Sequence, residues 1–192
     1  MLTIDHLEKR FGSTVLFRDL TFAVKGPAVL WAPSGWGKTT LLRILMGLET
    51  PTSGSVENVG KVSAVFQEDR LCPQLTAVKN VVLVLSPEKY SEKSKYEEKI
   101  KRDFIQLGFD EKALALPARK LSGGQKRRAA LLRALWAESD TLLLDEPFTG
   151  MDPETMKKAA AMLRAHCGTK PALLATHDRE AIRELGWRII EL

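Results

Sequence analysis

The stretch APSGWGKTT, residues 32–40, decides how this chain is read. It nearly spells GxxxxGK[ST], a pattern whose backbone amides wrap a phosphate while its lysine reaches the outer oxygens. Ala32 stands where the pattern has glycine, and a bulky Trp36 sits inside the loop. The setting carries more weight than the letters. AVLWA, residues 28–32, is a short apolar run of the kind buried strands have, and residues 38–48 place Leu41, Leu42, Leu45 and Leu48 at helical spacing. A loop that leaves a strand and opens a helix aims successive amides into one concavity, where the helix dipole favours anions. Ser34, Gly35, Trp36, Gly37, Lys38, Thr39 and Thr40 are therefore the expected cradle. Lys38 is expected on the terminal phosphates and Thr39 on Mg²⁺. The competing reading is a strand-to-helix turn that is glycine-rich for steric reasons alone.

Further along, VSAVF (62–66), TLLLD (141–145) and ALLAT (172–176) are again short apolar runs, as in a parallel sheet covered on both faces. Helical patterns follow at 123–137 and at 153–166, the latter opening on Pro153. Alternation of this kind predicts an α/β core. Residues 71–120 interrupt it with a helix near 76–85 and a charged helix near 91–107, which reads as an inserted helical block. TLLLDEP, residues 141–147, ends its strand in two carboxylates at the edge where open α/β sheets bind ligands. Asp145 is placed to hold Mg²⁺. Glu146 is placed to polarise a water, because phosphoanhydride hydrolysis needs an oriented nucleophile more than a covalent one.

LSGGQ, residues 121–125, is a second glycine-bearing turn opening a helix, with Ser122 as its cap. By chemistry alone this makes two phosphate sites. Taken with the phosphate loop and the DE pair, it resembles the signature of ABC-type ATPases over nearly the whole chain. The resemblance implies a P-loop NTPase core with a parallel sheet, a small antiparallel β subdomain and an inserted α-helical subdomain. Residues 1–70 and 138–192 would form the core with its β subdomain, and 71–137 the helical subdomain including the signature helix. It also implies binding and hydrolysis of ATP with Mg²⁺ in a head-to-tail dimer, each copy's Ser122, Gly123, Gly124 and Gln125 closing over its partner's nucleotide. Phe11 matches the aromatic that stacks on adenine, and Gln67 the glutamine that meets Mg²⁺ and the attacking water. Asp152 matches an aspartate at the dimer contact, and His177 the histidine on the γ-phosphate.

Single-cassette relatives pair with transmembrane permease subunits, so the second copy and a permease are the expected partners. Membrane contact is expected only through that permease. FQEDRLCPQLTAVKNV, residues 66–81, is similar to bacterial importers, especially the nitrate, sulfonate and taurine group. In the family this region forms the groove for a permease helix, which makes Leu71 and Leu75 candidate contacts. The alternative functions are a non-transport ATPase of the same type and a regulatory nucleotide-binding module. Ala32 costs little if its φ is negative, and the Trp36 ring is expected to point outward at the rim of the loop. Only 29 positions separate Lys38 from Gln67, so the antiparallel segment between them should be trimmed.

Composition agrees with a globular domain: 192 residues, 44% hydrophobic and 28% charged. The N-terminus MLTIDHLEKR is too polar for a leader, which gives the expectation of a cytosolic protein on the inner face of the cell membrane. Two cysteines far apart argue against a disulfide framework or a structural zinc site. The net charge of +5 suits an anionic ligand. EKYSEKSKYEEKIKRD (88–103), however, mixes both signs as a solvated helix face does, so no nucleic-acid partner is expected.

Overall fold

The computed structural model describes all residues 1–192. In chain order the elements are β1 (Leu2–Phe11), β2 (Thr14–Val24), β3 (Pro27–Trp31), α1 (Lys38–Leu45), β4 (Ser53–Glu57) and β5 (Val62–Val65). A helical run follows: α2 (Ala77–Val82), α3 (Pro87–Ser91), α4 (Lys93–Gln106), α5 (Glu111–Ala115), a 3₁₀ turn at Ala118–Lys120, and α6 (Gly123–Trp136). The chain then alternates again through β6 (Thr141–Asp145), α7 (Pro153–Cys167), β7 (Ala172–Ala175), α8 (Arg179–Leu185) and β8 (Arg188–Glu191). This is an α/β fold with a parallel sheet, an antiparallel sheet and a helical block. Its contacts divide it into two compact units. One holds residues 1–64, 139–146 and 167–192, and the other residues 65–138 and 147–166.

The first unit contains both sheets. The five-stranded sheet runs in the order β5-β6-β7-β3-β8, with β3 parallel to β7 and β8, and β6 parallel to β7. The central strands β6 and β7 are enclosed at every residue, as strands covered on both faces are, whereas the edge strand β8 buries only Ile190. The register pairs Asp145 with Ala175, so the ends of β6 and β7 lie side by side at one sheet edge. Leu41, Leu42, Ile44 and Leu45 of α1 join Leu30, Leu143 and Leu173 in the core, which fixes the helix that the phosphate loop opens.

The three-stranded sheet β2-β1-β4 is antiparallel. Its two long strands give no clean alternation in sequence, and the structure shows why. His6 and Asp19 both adopt left-handed backbone, at φ 45° and 54°, and the β1–β2 register shifts between Ile4 and Leu7. A bulge of this kind puts two residues opposite one and reverses the inward face, so Leu2, Ile4 and Leu7 are all buried despite their uneven spacing.

In the second unit α2, α4 and α6 pack on one another. Val78 and Val81, Ile100 and Phe104, and Leu131 and Leu132 supply its core, and Phe104 meets Phe109 edge to face at 4.8 Å. The charged helix expected near 91–107 is α4, and the short α3 precedes it across a break at Glu92 with its φ of −105° and ψ of 29°.

Candidate functional site

The loop between β3 and α1 owes its shape to two glycines. Gly35 and Gly37 have φ of 80° and 109°, and a Cβ on Gly37 would lie 2.5 Å from Leu16 Cδ2. Ala32 is not among the positive-φ residues and is buried, so its methyl group packs without backbone strain. Gly37 caps α1 with no side-chain hydrogen bond, and no acidic residue lies in the first turn. The N–H groups of that turn are thus left for an anion. Lys38 Nζ donates to the Ala32 carbonyl at 2.7 Å and the Pro33 carbonyl at 3.2 Å, which curls the ammonium over its own loop. Thr39 is exposed at the start of the helix.

The Trp36 ring departs from expectation. It lies stacked on Phe17 of β2, centroids 5.3 Å apart and planes within 10°, and packs against the core of the first unit. An outward ring at the loop rim would leave that apolar face wet; stacking covers it. Trp36 therefore offers the loop its main chain, while its side chain buttresses the loop from behind.

Asp145 and Glu146 end β6 in different ways. Asp145 is buried, at 6% exposure. Glu146 turns into left-handed backbone at φ 47°, held by its N–H donating to the Ala175 carbonyl at 2.9 Å. That turn sends its carboxylate toward the segment following β7. Thr176 Oγ1 donates to Oε2 at 2.8 Å, the His177 N–H donates to Oε1 at 3.1 Å, and His177 Nδ1 lies 2.7 Å from the same oxygen. Thr176 is itself fixed, being 1% exposed and accepting from the Asp178 N–H at 3.1 Å. The His177 side chain remains 81% exposed. Glu146 and His177 are thus brought into direct contact. Thr176, which carries this contact, was missed in the sequence because a threonine after a strand has no motif of its own.

Phe11 ends β1 half exposed, with the Lys9 ammonium 4.5 Å from its ring centroid. Lys9 is buried and anchored by donation to Glu49 Oε1 at 2.7 Å and the Thr50 carbonyl at 2.8 Å, so the ring is fixed from one side. Phe11, the loop, Asp145, Glu146 and His177 all belong to the first unit.

Gln67, residues 122–125 and Asp152 belong to the second. Gln67 is exposed in the loop after β5. Ser122 caps α6 with a full capping box: the Gln125 N–H donates to Ser122 Oγ at 3.2 Å, and the Ser122 N–H donates to Gln125 Oε1 at 2.9 Å. Gly123 opens onto free space, whereas a Cβ on Gly124 would meet the Gly150 carbonyl oxygen at 2.6 Å. Asp152 Oδ1 accepts from the Thr155 N–H at 2.9 Å, and this backbone amide holds its carboxyl below the usual carboxylate range. Leu71 and Leu75 are half-buried.

An uncapped glycine loop after β3, two carboxylates at the end of β6 in the same parallel sheet and a second, capped glycine turn form one combination. A family model described as ABC transporter matches residues 19–149. The chain belongs to the ABC transporter family. An aliphatic sulfonates import ATP-binding protein of Frankia alni is 40% identical over 195 residues, covering 100% of this chain and 76% of the relative. A probable sulfate/thiosulfate import ATP-binding protein of Chlorella vulgaris is 35% identical, covering 100% and 86%. A spermidine/putrescine import ATP-binding protein of Spiroplasma citri is 36% identical, covering 99% and 58%. Among solved structures, a dimeric bacterial ABC transporter cassette superimposes with a TM-score of 0.82 at 27% identity, covering 100% of this chain and 94% of that one. The same score, at 26% identity, is found for a post-hydrolysis cassette bound to ADP and Pi. The fold is that of a P-loop NTPase cassette, and the chain is an ATP-binding, ATP-hydrolysing subunit of an ABC transporter. No helix is long and apolar enough to cross a membrane.

Proposed function

We propose that this ABC subunit drives an importer, binding Mg-ATP on its first unit and closing head to tail on a second copy. The observation that carries the reading is the Glu146 carboxylate, held at the end of β6 by Thr176 and His177. A carboxylate fixed by three donors, on the same sheet edge as an uncapped phosphate loop, is built to orient a water. Lys38 would exchange its two carbonyl partners for the outer phosphates, and amides 35–40 would hold the remainder. His177, exposed beside Glu146, would meet the γ-phosphate. Phe11 would stack on the base, and Gln67 would take the family's place beside the attacking water. Ser122, Gly123, Gly124 and Gln125 would close over the partner's nucleotide, with Asp152 at the contact between copies.

The donors near the loop suit Mg²⁺. They are few hard oxygens, the Thr39 hydroxyl and the Asp145 carboxylate, to which the family resemblance adds the Gln67 amide, and no group of three His, Cys, Asp or Glu encloses a metal. Magnesium keeps most of its waters and takes phosphate oxygens, so it needs no protein cage. Bound there it would offset phosphate charge during hydrolysis.

Import rather than export is supported by the names of the relatives above, whose cargoes are sulfonates, sulfate and polyamines. Cargoes of opposite charge on such similar cassettes imply that cargo choice lies with separate membrane subunits. Those permease subunits, reached through the loop holding Leu71 and Leu75, would place the chain on the inner face of the cell membrane. The test is a pair of substitutions. Glu146→Gln should abolish turnover yet keep ATP bound and favour the dimer, whereas Lys38→Ala should weaken ATP binding itself. Equal ATP affinity in wild type and Lys38→Ala overturns the assignment of the loop.

A further inference from the structure

The loop that carries Gln67 is held by its main chain rather than by its side chains. Arg127, on α6 just past Gln125, donates from Nη1 to the Phe66 carbonyl and from Nη2 to the Gln67 carbonyl. Its Nε lies 3.5 Å from the Asp69 carboxylate. Further along the same helix, Arg133 donates from Nη1 to the Arg70 carbonyl at 2.6 Å and from Nη2 to the Asp69 carbonyl at 3.2 Å. The carbonyls of residues 66, 67, 69 and 70 are thus all taken by two guanidinium groups of one helix. Both are withdrawn from water: Arg127 is 8% exposed, and burial lowers the Arg133 pKa from its usual value.

A guanidinium stays charged when buried, so its N–H groups must find oxygen. The loop, having no strand ladder at residues 66–73, has carbonyls that need donors. Each side completes the other. We propose that Arg127 is a positioning residue for hydrolysis. It fastens the backbone from which the Gln67 side chain projects to the helix that opens with Ser122, Gly123, Gly124 and Gln125. Gln67 and the signature turn then move as one body, and Arg133 is the second fastening. This rests on the reading of Gln67 as the residue facing the attacking water.

The test is a double-mutant cycle on the full chain, with ATPase kinetics and amide hydrogen exchange over residues 67–71. Arg127→Met keeps the stem and loses the fork. It should lower kcat by about tenfold or more, since small misplacements of a reacting group are that costly, and shift KM for ATP by less than about threefold. In a Gln67→Ala background it should add less than about twofold, because residues acting through one another are non-additive. Exchange at 67–71 should quicken while that of α6 is unchanged. Arg127→Lys reaches one carbonyl where Arg127 reaches two, and should restore kcat in part; if the methionine variant does not fold, the lysine variant carries the same cycle. A full multiplicative loss in the Gln67→Ala background, or unchanged exchange at 67–71, overturns the proposal. Wild-type turnover in Gln67→Ala alone overturns the role of Gln67 in hydrolysis, and with it any catalytic part for Arg127. The exchange data then report the clamp by itself.

Discussion

Two helices of this chain start on glycine-bearing turns and treat their first-turn amides in opposite ways. Before α1, Gly37 supplies no side-chain cap, and the nearest cation is folded back on the Ala32 and Pro33 carbonyls. Before α6, Ser122 and Gln125 satisfy each other's backbone N–H groups in a closed box. An uncapped helix start leaves donors unmet until an anion arrives, whereas a capped one is complete in a single chain. The first turn is thus built to need a ligand, and the second to be rigid before it meets one. The difference suits the proposed roles, in which the phosphate loop would bind nucleotide within one chain and the signature turn would act only with a second copy.

The largest expected effect comes from breaking the first turn. Gly37→Ala would demand φ near 109° of an alanine and drive its Cβ to 2.5 Å from Leu16. Left-handed strain and overpacking together cost about 2–4 kcal/mol, and ATP affinity should fall by roughly two orders of magnitude. Titration with a non-hydrolysable ATP analogue checks it, and near-wild-type affinity would mean the loop can rebuild itself.

Gly124→Ala probes the other turn. Its φ is ordinary, but the new Cβ would sit 2.6 Å from the Gly150 carbonyl oxygen, which is backbone and cannot swing away. The expected result is a loss of about 1–3 kcal/mol in stability with ATP affinity held within about threefold and ATPase turnover reduced at least about tenfold. Turnover and affinity falling together would show that the two turns are not separable. Gly123→Ala, with open space around it in the single chain, is the control for the stability loss alone.

How far these turns could be read in advance depended on the range of the interactions. The phosphate loop, the DE pair and the box-forming Ser122 and Gln125 are local patterns, so their spacing in sequence carries them. The strands β1 and β2 were hidden because the left-handed His6 and Asp19 break the alternation of apolar residues that marks a strand. The Trp36 ring was misjudged because its partner, Phe17, lies on another strand. Arg127 gave no signal, since its acceptors are carbonyls 60 and 61 residues away that any side chain could accompany. Thr176 is similar: its role appears only once Glu146 turns toward it.

A smaller effect is expected from opening the capping box. Ser122→Ala removes the acceptor of the Gln125 N–H and should cost about 1 kcal/mol of stability, read as a lowered unfolding midpoint in urea. If α6 were held mainly by its packing, with Leu131, Leu132 and Leu135 all buried, the midpoint would not move and the rigidity of this turn would owe nothing to its cap.

The smallest effect belongs to the position that departs from the phosphate-loop pattern. Ala32→Gly leaves untouched the carbonyl that accepts from Lys38, because the bond at 2.7 Å is to main chain. What it removes is one methyl group, buried at 6% exposure, at a residue whose φ is not positive. Loss of that group costs about 0.8 kcal/mol, and the added backbone freedom a further 0.5–1 kcal/mol, so the variant should be slightly less stable. ATP affinity should change by less than about tenfold, or 1.4 kcal/mol, since the amides that meet phosphate lie at 35–40 and their geometry is set by Gly35 and Gly37. Calorimetric titration of both proteins with the same analogue decides the matter. Tighter binding by more than that margin would mean that Ala32 strains the loop, and that the uncapped turn is less ready for its anion than its geometry implies.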